Sequence, residues 1–492
     1  MKNLLLLLSI LPIFVHAQND QNFEKSFEEF QQTINQTFNA FQDSINAVFA
    51  KALEEQWEEF QVFAKIPAPV KPNPKVPPVV DTLIKEIPKP VEIPVKEIET
   101  PQKEEPKPQE EEPKSVVPNL PQIAPFYKTI NLWNATFNIP YDITLETTTL
   151  TNIQEKSIAE FWRTLSHTEF EPAVNALAEI KRQYALNDYG LALLCSEYAK
   201  SIWTNNTQKY NETNLFLIFL LNQLLFDAKI VRKANHLEPV IYSPQTVYAM
   251  SYITINGKQY YFLFSTSESS SIFSYKINFS EKVAGLDFNI YKPINITANV
   301  AEKELKIKKL NKTVKLQYAE DAIAYYKNYP QVNADIYANA AVSNVFKNSV
   351  IKEFKPLLKE KTEQEAVDIL LNFMQYAFEY KTDDEQYGYE KWNFCEENLY
   401  YPYNDCEDRA FLFSWLVREL LHLDVVLLLF SDHVSTAIHF NTPVAGDYFF
   451  LDGQKFTICD PTYIGATIGM MPPEYINDKA EIVRIKRFEI WD

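Results

Sequence analysis

Tyr403-Asn404-Asp405-Cys406-Glu407-Asp408-Arg409, running directly into AFLFSWLVREL (410–420), places a cysteine between acidic residues at the start of a strongly apolar helical stretch. Downstream come HVSTAI (433–438), strand-like and headed by His433, and FTICDPTYIG (456–465), in which Asp460 precedes a proline. Cysteine, histidine and aspartate in that order are what thiol acyl transfer requires. A thiol is only a few per cent ionised near neutral pH, so it needs a histidine to take its proton and a carboxylate to orient and charge that histidine. At a first helical turn Cys406 would also feel the positive end of the helix dipole, which favours thiolate.

These residues resemble the core of the transglutaminase-like superfamily, bacterial branch, in which a helix opens with a G-D-C-E-D motif, a strand begins with histidine and a later strand carries D-P-T. The resemblance covers about residues 345 to 470 and includes the lead-in TEQEAVDILLNFMQYAFEYKTDDEQYG (362–388). Asn404 stands where the family has glycine. The resemblance implies an α+β fold of the papain-like kind, with Cys406 as nucleophile, His433 as base and then acid, Asp460 as orienting carboxylate, and no metal or organic cofactor.

Each assignment has an ordinary competitor. A lone cysteine is usually a small buried hydrophobe, but charged neighbours on both sides of Cys406 mark a rim. His439 shares a strand face with His433, roughly 20 Å away at ~3.3 Å per residue, so only one of them can serve the thiol. The family pattern selects His433. Asp460 before Pro461 is otherwise a turn residue.

With 492 residues, 46% of them hydrophobic, two folded units plus tails are expected. A formal net charge of −18 opposes nucleic-acid or anionic-membrane binding. There is no glycine-rich phosphate loop and no zinc-type cysteine or histidine spacing. Residues 1–17, MKNLLLLLSILPIFVHA, read as a secretory signal peptide whose apolar run is too short to span a bilayer, so the protein is expected to be exported, periplasmic or at the cell surface. The four cysteines are too few for a disulfide scaffold. In an oxidising compartment Cys395 and Cys459 could pair, or both could stay free, while Cys406 must be reduced to act.

Between residues 18 and 65 aromatic and aliphatic residues recur every three or four positions, from Phe23 to Trp57, Phe60 and Phe63. That spacing predicts one long amphipathic helix, and the segment carries no second helix to cover its stripe. Self-association as a coiled coil or attachment to an envelope partner is the expectation, with folding back on the globular part as the alternative. Residues 66–125 hold 16 of the 29 prolines and read as an extended spacer.

Residues 126–310 read as a second α+β domain, in which NETNLFLIFLLNQLLF is followed by the hairpin signal Asn256-Gly257. Set against the Cys406 region, it brings Tyr210 opposite Cys406 and His236 opposite His433, with Ser265, Thr266 and Ser267 near Asp460. This suggests a degenerate transglutaminase-like copy. The strand-like stretches from Ser274 to Ile307 are expected to form a small sheet between the two units.

The reading is an exported transglutaminase-like thiol enzyme, residues 311–492 being catalytic, that forms a thioester on peptide or carboxamide substrates and hydrolyses it rather than cross-linking. The alternative is a non-catalytic cell-envelope binding or scaffold protein built on the same domains. A papain-like protease of separate ancestry would want its cysteine near the start of the mature domain.

Overall fold

The computed structural model describes residues 43–73, 76–81, 89–97, 126–203, 209–264, 271–296 and 299–486. The expected signal peptide and the first part of the aromatic stripe, through residue 42, lie outside these, as do Ser265, Thr266 and Ser267.

What is described of the N-terminal region departs from one long helix. A helix α1 covers 43–53, and after it the chain turns extended as β1 (Glu58–Phe63). Phe49, Leu53 and Trp57 are buried against the globular body, where Phe49 meets Trp162, Tyr275 and Phe279 edge to face. Among the described residues the greasy stripe is therefore covered by the chain's own core, not left for a coiled coil. Where it is described, the expected spacer is also corrected: Ile93 N–H donates to Tyr448 O, Tyr448 N–H donates to Val91 O, and β2 (Val95–Glu97) lies parallel beside β16, the strand Ala480–Arg484; residues 82–88 and 98–125 lie outside the described residues.

The first unit continues with the ribbon β3 (Phe126–Leu132) and β4 (Ala135–Tyr141), then α2 (Glu155–Ser166), α3 (Glu171–Tyr184), α4 (Asp188–Ile202) and α5 (Tyr210–Gln223). Helix α5 is apolar nearly all round, and such a helix is stable only at the centre of a core. Strands β5 (Ala228–Lys233), β6 (His236–Tyr242), β7 (Tyr252–Ile255), β8 (Lys258–Tyr261) and β9 (Ser271–Ser274) follow, and β1 closes them into a barrel in the order β1-β7-β8-β6-β5-β9.

The second unit opens with the ribbon β10 (Val300–Ile307) and β11 (Lys312–Ala319). Then come α6 (Glu320–Tyr326), α7 (Ala334–Asn339), α8 (Asn344–Leu358), α9 (Glu363–Ala377), the short α10 (Asp383–Gln386) and α11 (Glu397–Tyr400), and α12 (Cys406–Leu421). Strands β12 (Asp424–Leu429), β13 (Val434–His439), β14 (Tyr448–Leu451), β15 (Gln454–Ile458) and β16 (Ala480–Arg484) complete an open sheet ordered β14-β15-β13-β12-β16-β2. The ribbon buries Leu305, Ile307, Val314 and Leu316 in the same core as α8, α9 and α12, so the boundary between units falls before Val300, not at 310. Among the described residues between Ser274 and Val300 no joining sheet forms; apart from a bridge of Ala284 to Phe226 they are irregular.

The overall class is α+β, and the two sheets share one plan. Replacing β14, β15, β13, β12, β16 and β2 by β7, β8, β6, β5, β9 and β1 converts one strand order into the other. Each sheet follows a buried helix. The hairpin of each turns on a left-handed pair, Asn256-Gly257 in the first and Asp452-Gly453 in the second, as the tightest two-residue turns require. The differences lie at the edge: β1 is antiparallel to β9 and closes a barrel, whereas β2 is parallel to β16 and leaves the sheet open. One continuous core joins the units, with Trp133 packed on Tyr325 of α6 and Tyr189 of α4 edge to face with Tyr329. Among the described residues no helix is long and apolar enough to cross a membrane.

Candidate active site

Asp405 caps α12 with extended backbone, and Cys406 is its first residue. The backbone at Asn404 is not left-handed, so the position needs no glycine. Its side chain is buried and donates to Asn398 Oδ1 at 2.7 Å, and its N–H donates to Glu379 O at 3.0 Å, fixing the turn from both sides. Across from the helix start, the four-residue turn 430–433, closed by Phe430 N–H donating to His433 O, sets His433 immediately before β13. The N–H of the next residue, Val434, reaches the Cys406 sulfur.

Asp460 follows β15, and its Oδ2 lies 2.7 Å from His433 Nε2. Its other oxygen accepts from the N–H groups of Thr462 and Tyr463 at 2.8 and 3.0 Å, the turn that the D-P-T sequence makes. Burial opposes ionisation of Asp460, but the charge and hydrogen bond of His433 and these two N–H donors outweigh it and hold the carboxyl below its usual range. With Nε2–H donated to Asp460, the free lone pair is on Nδ1, the nitrogen left to take a thiol proton. His439 lies at the far end of β13, opposite Asp424, with its Nδ1 against Lys455 O, and takes no part.

Further residues at this site carry no sequence signal of their own. Tyr475 stacks on the His433 ring at 4.9 Å and 16°, and Gln375 of α9 donates to the carbonyls of Asp460 and Ala466 while accepting from Gly465 N–H. They pin the ring and the loop that carries its partner.

The thiol's surroundings are not those of a ready nucleophile. Cys406 is 1% exposed and donates to Glu407 Oε2 at 3.0 Å. Burial, and then the negative charge of Asp405, push the thiol well above its ordinary value, against the expectation from the helix dipole. Asp405, Glu407 and Asp408 are all buried here with Asp383. Burial is the first cause of the raised carboxyls of Asp383, Asp405 and Glu407, with one another's charge adding to it; Asp408, which accepts two hydrogen bonds from Asn393, is pushed up to about 7. Both side-chain oxygens of Asp405 and Oε1 of Glu407 have no hydrogen-bond partner.

Two overlapping sets, Asp383 with Glu390 and Glu407, and Asp383 with Asp405 and Asp408, each bring carboxylate oxygens within 4.8 Å of one another. Clustered hard oxygen donors suit Ca²⁺ or Mg²⁺, so the residues that flank the thiol could hold a divalent cation. The sequence reading, which named no metal, could not bring Asp383 and Glu390 to the residues beside Cys406.

The first unit offers the corresponding place. Tyr210 begins α5 as Cys406 begins α12, and its ring meets that of His236 edge to face at 5.5 Å. Its hydroxyl donates to Glu238 at 2.7 Å. Continuing the strand register past Tyr261, which pairs with Ile241 as Thr457 pairs with Ile438, puts Phe264 level with Asp460. The Cys395 and Cys459 pairing considered above is not formed: all four cysteines are free and buried.

Comparison with family models, with curated proteins and with solved structures found no match to this chain.

Proposed function

We propose that the second unit is a transglutaminase-like thiol enzyme, with Cys406 as nucleophile, His433 as base and then acid, and Asp460 as the carboxylate that orients the imidazolium. The observation that carries this reading is the buried His433–Asp460 pair at 2.7 Å, whose histidine directly precedes the residue that touches the Cys406 sulfur. Cys406 would attack a peptide or carboxamide carbonyl, His433 would take the thiol proton and return it to the leaving amine, and water would then release the acyl group. The Cys406 N–H at the helix start is the expected oxyanion donor. On this reading the protein is exported, and the first unit is a copy of the fold that has lost its thiol, which the shared strand order and the Tyr210–His236 contact support.

One observation favours a second reading, a non-catalytic envelope binding protein: the thiol is buried among carboxylates and held protonated. Site-resolved iodoacetamide labelling between pH 5 and 9 separates the two. A Cys406 rate at pH 6 that falls at least tenfold in His433→Ala and is unchanged in His439→Ala supports the enzyme. A rate indifferent to His433 supports the binding protein.

A further inference from the structure

Within the stretch KPNPKVPPVV (71–80), the described residues 71–73 and 76–80 meet both loops that carry the acid–base pair. At one end the N–H groups of Lys71 and Asn73 donate to the carbonyls of Ser431 and Asp432, the two residues before His433, each at 3.3 Å. At the other end Val80 N–H donates to Ile464 O at 3.0 Å, and Ile464 N–H donates to Pro78 O at 2.8 Å, a parallel bridge four residues beyond Asp460. Pro72 is buried, Lys71 pairs with Asp384 at 2.8 Å next to the carboxylate cluster, and Val80 lies beside Gly465. Lys71 and Asn73 thus dock on the His433 turn, and Pro78 and Val80 dock on the Asp460 loop. Cys406, His433 and Asp460 are each no more than 1% exposed.

We infer that residues 71–80 occupy the substrate track of this site as a built-in competitor, and that the substrate is accordingly an extended polypeptide segment. This rests on the thiol-enzyme reading above. The four contacts are main-chain hydrogen bonds of the kind an added strand makes, which take any sequence able to stay extended. Four of the ten residues are proline, so φ is preset and little chain entropy is lost on docking. Prolines also remove N–H groups and leave few ordinary secondary amides, so the occupant makes a poor substrate. A glycan would have no use for alternating carbonyl and N–H groups aligned along two loops.

The test is made in the full chain with residues 71–80 replaced by ten glycines and serines, which keeps the connection from β1 to β2. Cys406 labelling is expected to rise at least tenfold, to lose that gain when His433→Ala is added, and to fall again with a synthetic peptide spanning Val70 to Asp81. Cys195, Cys395 and Cys459 should stay protected, showing the fold intact. An unchanged Cys406 rate that still depends on His433 overturns the inference and leaves the enzyme reading standing, the stretch being a structural arm. A rise that ignores His433, with Cys395 and Cys459 labelled as well, is local unfolding and also overturns it. If labelling ignores His433 even in the unaltered chain, the enzyme reading fails instead.

Discussion

Asp460 does two things for His433: it accepts from Nε2, and through Thr462 and Tyr463 it is itself held in one orientation. Asp460→Asn keeps the shape but lets the imidazole take the wrong tautomer, and turnover is expected to fall by on the order of 10²–10⁴ with the fold retained. Assay against a peptide ester, beside circular dichroism, checks both halves of that statement. Asp405 acts in the opposite sense on the thiol, since its charge is the largest cause after burial of the raised Cys406 value. Asp405→Asn should therefore move the pH profile of Cys406 alkylation toward lower pH. A profile that stays in place would mean that burial alone governs the thiol. At this scale the sequence was informative where chemistry and neighbours coincide, as for His433 and Asp460, which lie 2.7 Å apart. It was silent on Tyr475 and Gln375, whose roles depend on which ring and which loop they meet.

At the scale of elements, aromatic spacing misled in a specific way. Trp57, Phe60 and Phe63 continue the three-or-four period of the preceding helix, yet in β1 it is Val62 that faces the barrel core while Phe63 stacks on Tyr252 at its rim. A period read over forty residues hid a break after residue 53, because the strand is short and its partners lie some two hundred residues away. By contrast α5 was plain in sequence, since a helix apolar nearly all round admits only a central position, and α12 shows the same in its run 410–417. Phe49, wedged between Trp162, Tyr275 and Phe279, makes the test: Phe49→Ala should cost about 3–5 kcal/mol in denaturant unfolding. A loss well below that would mean α1 is only loosely docked.

Over the whole molecule the carboxylate cluster couples stability to pH and to cations. Asp383, Asp405 and Glu407 are raised and Asp408 is pushed up to about 7, so the folded chain holds protons that the unfolded chain releases near pH 4. The sign follows: the Asp408 share is fully present below about pH 4 and is lost as pH rises through about 7, and the shares of Asp383, Asp405 and Glu407 are lost in the same direction. Asp460, lowered, contributes in the reverse direction, and its share is lost as pH falls below its folded value. In chelator, Tm should therefore fall between pH 5 and 8, and millimolar Ca²⁺ should flatten that fall by neutralising the carboxylates. Differential scanning calorimetry at several pH values, with and without the ion, reads this directly; a slope indifferent to Ca²⁺ and Mg²⁺ would remove the cation from the account. None of this was visible in the chain order, because Asp383 and Glu390 reach Glu407 only through the fold.

The outermost places in both sheets are filled from the N-terminal hundred residues: β1 closes the barrel against β7 and β9, and β2 lies beside β16, which begins at Ala480. Synthesis proceeds from the N-terminus, so β2 must wait for nearly four hundred further residues before its neighbour exists. Contacts between such distant stretches are slow to form. During that wait the early strands have open edges, and this is the period in which the chain is most exposed to pairing with the wrong partner.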